Sequence, residues 1–80
     1  MFNITVAVVS LHITTNTLVW QIKRVAPGKT WMGWATGSGS FTPGIDPKAE
    51  AGQAEMFRTA QYAVDFAQEQ GWQVVSVIER

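Results

Sequence analysis

Cysteine is absent from this chain. That excludes a disulfide framework, a thiolate nucleophile and any cysteine-ligated zinc site, the usual supports of small secreted domains, and a reducing cytoplasm is the expected location. A surplus of one charge is missing as well. Six Lys and Arg against six Asp and Glu give a formal charge of zero, so the chain carries neither the footprint of a polybasic nucleic-acid binder nor that of an acidic imitator of DNA. Thr, Gln, Lys and Gly interrupt every apolar run well short of the roughly 18 residues a membrane-spanning helix requires, so no membrane partner is expected. The apolar Met1–Val9 segment has no Lys or Arg before it, leads into the polar His12–Thr17 stretch and alternates like a strand, which reads as part of a fold and not as a targeting signal.

What the chain does have is apolar mass. It is 46% hydrophobic, with four Trp, four Phe and one Tyr among 80 residues, enough for a packed interior and too much for a disordered segment. A chain of this length buries only about 60% of its unfolded surface, so one core in a single domain over 1–80 is expected.

Apolar residues occupy even positions from Phe2 to Val8 and odd positions from Val9 to Ile13. Period two predicts a strand. The change of phase fits either a β-bulge at Val8-Val9, the preferred reading, or a central strand buried on both faces. Thr14-Thr15-Asn16-Thr17 predicts a turn into a second strand in which Leu18, Trp20 and Ile22 alternate with Val19, Gln21 and Lys23. Ala26-Pro27-Gly28-Lys29 suits a type II turn, and a third strand over Thr30–Thr36 completes a meander spanning 1–36. The glycines and prolines of 37–46 predict a loop. Asp46-Pro47 resembles a helix start and Gly71 a stop, giving a helix over 47–70 whose Ala49, Met56, Phe57, Ala60, Ala63, Val64 and Ala67 share the core face, with Gly52 able to fray its first turns. Residues 72–79, apolar on both faces, predict a last, interior strand. The expected fold is therefore α+β, β-β-β-α-β, with a mostly antiparallel four-stranded sheet in spatial order 3-2-1-4 and one helix on one face.

Catalytic equipment is sparse. His12 is the sole histidine, no Gly-x-Ser-x-Gly elbow accompanies it, and Asp46, Glu50 and Glu55 do not have metal-loop spacing. Neither Gly28-Lys29 nor Gly37–Gly39 has phosphate-loop spacing. The expectation is a non-enzyme without metal or cofactor, which turns attention to surfaces. Trp31 and Trp34 differ by three positions and cannot share a face of an unbulged strand, so one of them faces away from the helix, as a contact residue or lying flat on its own sheet. Tyr62 and Phe66, spaced i, i+4 off the alanine-rich face among Glu55, Arg58, Asp65 and Glu69, form a second candidate contact. Against these stands a solvated helix face. Lys23, Arg24 and Lys29 with Trp31 form a basic, aromatic hairpin of the kind that holds single-stranded nucleic acid, although three charges give weak binding alone.

Gly33-Trp34-Ala35-Thr36-Gly37-Ser38, then Pro47, then an alanine-rich helix ending at Gly71 and a Val-rich strand give Val19–Ile78 a layout that resembles small phage-encoded anti-CRISPR proteins. The resemblance is one of size and layout, and it carries over no residue role. It implies an inhibitor that blocks a CRISPR effector subunit by steric occupation in the host-cell cytosol. The two functions expected are thus a protein-binding module using Glu55, Arg58, Tyr62, Phe66, Glu69, Trp31 and Trp34, and, as the alternative, a weak single-strand binder using Lys23, Arg24, Lys29 and Trp31. Homodimerisation through an open sheet face or edge is a further expectation.

Overall fold

A computed structural model describes residues 4–25, 31–42 and 54–79 of the chain. Strands β1 (Thr5–Thr14), β2 (Thr17–Val25) and β3 (Trp31–Trp34), helix α1 (Ala60–Glu69) and strand β4 (Gln73–Ile78) follow in that order. The strands form one mixed sheet, β3-β2-β1-β4, in which β1–β2 and β2–β3 are antiparallel and β1–β4 is parallel. This is the α+β architecture expected, with α1 returning the chain so that β4 runs alongside β1.

β1 is the central strand, and that explains its change of phase. Val6, Ala7, Val8, Val9 and Ser10 are all buried, and the register with β2 runs unbroken from Val6↔Arg24 to His12↔Leu18. The bulge expected at Val8-Val9 is therefore absent, and the strand is apolar on two faces because both are covered. Irregularities fall elsewhere. Val6 pairs with Val74 but Ala7 with Ser76, leaving Val75 as an extra residue in β4. Lys23 pairs with Trp34 but Val25 with Trp31, so β3 also carries one residue too many.

The even-numbered residues of β1 and β2 face α1. Val6, Val8, Trp20 and Ile22 pack with Ala35, Ala63, Ala67 and Trp72, and Leu18, Phe41, Phe57, Phe66 and Val74 fill the margins. Small residues at 63 and 67 let the helix lie close on the sheet. Met56, assigned to this face from its spacing, is instead exposed.

The helix is shorter than its periodicity suggests. Thr59, with φ −132° and ψ 157°, is its N-cap and accepts a hydrogen bond from the Tyr62 N–H through its side chain at 3.1 Å. Residues 54–59 are not helical. Part of that stretch is extended and adds to the edge of β2: the Phe57 N–H donates to the Trp20 carbonyl and the Trp20 N–H to the Phe57 carbonyl, both at 2.8 Å, while the Glu55 N–H donates to the Ala35 carbonyl at 2.9 Å. Those bonds outweigh helical spacing that offered the same residues only local pairing. The proposed start at Asp46-Pro47, the Ala26–Lys29 turn, Ala49 and Gly52 lie outside the described residues. Thr59→Ala is expected to cost about 1 kcal/mol, read as a lower urea midpoint at unchanged slope, with Thr59→Ser restoring it.

The stop at Gly71 is as expected. Gly71 has φ +82°, its N–H donates to the Gln68 carbonyl at 3.0 Å, and the Trp72 N–H donates to the Ala67 carbonyl at 3.0 Å. This is a Schellman closure.

Candidate protein-binding surface

Of the two readings of the tryptophan facing away from the helix, Trp34 fits the one in which it lies against its own sheet, and a bulge in β3 alters the spacing on which the pair was read. The extra residue brings Trp31 into register with Val25 and Trp34 into register with Lys23, two odd-numbered positions of β2. Gly33 makes this possible at φ +130°, a conformation L side chains rarely adopt. Trp34 faces away from α1, yet it is only 5% exposed; its backbone N–H donates to Thr42 Oγ1 at 2.9 Å. Ala7, Val9, Gln21 and Lys23 are buried on the same side, so the middle of this face is covered and offers no bare indole. The Trp31 side chain lies outside the described ones.

The 37–46 loop begins as a tight turn. The Thr36 N–H donates to the Ser40 carbonyl at 2.8 Å and the Gly39 N–H to the Thr36 carbonyl at 3.1 Å, returning Phe41 to pair with Ala35. Residues 43–46 lie outside the described set.

The two described cations of the basic hairpin do not share a surface. Lys23 and Arg24 are neighbours in one strand and so project to opposite faces. Lys23 is buried beside Trp34 in the register, whereas the Arg24 guanidinium lies 5.5 Å from the centre of the Phe41 ring on the α1 side, a cation–π contact. Lys29 lies outside the described residues. His12, at the hairpin end of β1, is exposed.

The expected helix face divides. Tyr62 is 59% exposed. Phe66, one turn later, is half-buried between Phe57, at 5.3 Å between ring centres, and Trp72, at 5.9 Å, so it belongs to the core margin. Glu69 shares that side of α1 and is exposed. Glu55 and Arg58 are exposed as well but precede the helix, and Glu55 lies close against Gly37. Gln61 Nε2 donates to Asp65 Oδ1 at 2.8 Å, which ties up the adjacent carboxylate along the helix.

A stronger surface lies on β4, which stands at the end of the sheet as the expected order 3-2-1-4 has it, although its apolar faces suggested an interior strand. Among the described residues β4 pairs with β1 on one side only and forms an edge of the sheet. Val75 is 53% and Val77 51% exposed, and Ile78 is 39% exposed. The strand from Gln73 to Ile78 contains no charge and no proline, two of the devices by which edges are guarded. On the face opposite α1, Ile78 stands in register with Val9, and exposed Leu11 and Ile13 lie further along β1. Apolarity on both faces was the visible signal, and it is shared by buried strands and bare edges alike.

Among the described residues no three His, Asp or Glu side chains come together in a way that could hold a metal ion, and no helix is long and apolar enough to cross a membrane. Compared with known proteins, the chain matches no family model, no curated protein and no solved structure. The fold and surface define a small α+β domain whose described residues include an apolar sheet edge without charge or proline.

Proposed function

We propose that this chain is a non-enzymatic protein-binding module that inhibits by steric occupation and engages its partner along the outer edge of β4. The observation that supports this reading is the coincidence, in one strand, of a side unpaired among the described residues, three large exposed apolar residues and no charge. An edge strand presents alternate N–H and C=O groups to a partner strand, whose backbone supplies affinity while the side chains between them supply choice. Glu55, Arg58, Tyr62 and Glu69 form a second, more polar surface. Phe66 supports Tyr62 and Glu69 from the core margin, whereas Trp34, buried on the other face of the sheet, takes no part in this surface. The resemblance in size and layout offers the first partner to examine, a subunit of a CRISPR effector complex in host cytosol. The nucleic-acid alternative loses its geometry with Lys23 buried and Arg24 on the other face.

The test is an affinity and inhibition series against purified effector complexes. Val77→Lys is expected to weaken binding by about tenfold or more, since a charge on the edge must be desolvated to pair, and Tyr62→Ala to change it less than about twofold. The reverse ranking moves the contact to α1. Full binding by both variants removes both surfaces.

A further inference from the structure

We infer that the second half of β4, Ser76–Ile78, is a strap that leaves β1 as one unit, turning about Val75, while Trp72–Val74 and α1 stay docked. The device belongs to the free chain, so it stands or falls independently of β4 as a partner's binding edge.

Burial changes abruptly along the strand. Trp72 is 5% exposed, Val74 packs against the core, and the Gln73 N–H donates to the Ile4 carbonyl at 3.0 Å. After Val74 every residue of β4 is exposed. Pairing with Val8 sets Val77 on the side of α1, yet Val77 is 51% exposed, so the helix does not cover this end of the strand. Ser76 and Ile78, paired with Ala7 and Val9, lie on the opposite face and are exposed there. Side chains hold the first half of β4, and mainly the backbone ladder holds the second.

That ladder is interrupted where the two halves meet. Val6 pairs with Val74 and Ala7 with Ser76, which leaves Val75 outside the register. A residue inserted in this way disrupts the ladder locally and bends the strand, so the pairings beyond it are not propagated from those before it. The pairing is parallel, slightly less stable per residue than antiparallel pairing, and among the described residues no strand supports β4 from outside. β1 does not need the strap to stay in place. Its register with β2 is unbroken from Val6 to His12, and Val6 and Val8 share one cluster with Trp20, Ile22, Ala63 and Ala67. Opening at Val75 gives up the pairings of Ser76, Val77 and Ile78 with little side-chain burial, returns backbone freedom to those residues, and bares the outer N–H and C=O groups of Ala7–Val9. The chain thereby exchanges one edge for another, β4 when closed and the central strand when open.

Native-state hydrogen exchange by NMR in low urea tests the device. In the wild type, the amides of Ser76–Ile78 that bond to β1 and those of Ala7–Val9 that bond to β4 are expected to exchange alike, at least about 100-fold faster than amides bonded between β1 and β2, and with a smaller urea dependence, because a local opening exposes little surface. The Gln73 amide is expected to stay with the slow group. Deletion of Val75 joins Val74 to Ser76 in a continuous register with Val6 and Ala7, and is expected to bring the strap amides at least about tenfold closer to the slow group. Strap amides that exchange at the β1–β2 rate overturn the inference. Rates that climb residue by residue from Val74 to Ile78 overturn it as well, since they describe fraying without a hinge. A folded deletion variant with an unchanged difference removes Val75 as the hinge and overturns the device; should the deletion prevent folding, the wild-type pattern decides by itself.

Discussion

Trp72→Ala is expected to remove most of the stability of this domain. Trp72 is buried, its ring lies 4.6 Å from that of Phe41 and 5.9 Å from that of Phe66, and it is the residue at which the helix closure passes into β4. Truncating a buried tryptophan costs about 3–5 kcal/mol. A chain of this length holds about 4–12 kcal/mol in total. The helix closure itself survives, because the 72 N–H still reaches the Ala67 carbonyl, so the loss reports the aromatic cluster and not the turn. Circular dichroism melting is expected to show a midpoint lower by about 15 °C or more, with Trp72→Phe recovering a large part of it. A variant that melts within a few degrees of the wild type would contradict the placement of this ring at the junction of α1, Phe41 and β4.

The second large effect is expected at Gly33. A Cβ built there meets the carbonyl oxygen of Thr42 at closer than any van der Waals contact, and the backbone sits at φ +130°. Thr42 cannot retreat freely, since its N–H and Oγ1 are both bonded to the Trp34 backbone, at 2.8 and 2.9 Å. Gly33→Ala therefore combines backbone strain with a clash against fixed main chain and is expected to cost about 3 kcal/mol or more. Gly71→Ala supplies the contrast. Its φ is +82°, but nothing lies within 4 Å of the added Cβ, so only the strain remains, about 1 kcal/mol. Urea unfolding of the two variants side by side checks the ranking, and equal losses would mean that the bulge in β3 is not held by Thr42.

Turn, stop and helix-face signals acting between neighbours read correctly. Asn16 and the threonines marked the β1–β2 turn, Gly71 marked the helix stop, and Ala63 and Ala67 marked the face against the sheet. The candidate site was less legible. Tyr62 and Phe66 were both expected to be partly exposed; Tyr62 is exposed, while Phe66 on the same side of α1 is half-buried because Phe57 reaches it from a segment the sequence assigned to the helix itself. Lys23 looked like part of a basic patch, and only the pairing that sets it beside Trp34 shows it to be buried.

What the sequence determined by itself was the set of elements, their order and the α+β class, since period two, period 3.6 and turn chemistry are properties of adjacent residues. The place of β4 beside β1 was expected as well; the tertiary structure decided where α1 begins and which faces are covered. An aliphatic run such as Val74–Ile78 satisfies an inner strand and a bare edge equally well, and the difference lies in which distant backbone comes to pair with it. The bulges in β3 and β4 have the same origin: they exist in the offset between two strands, and no single stretch of chain carries it.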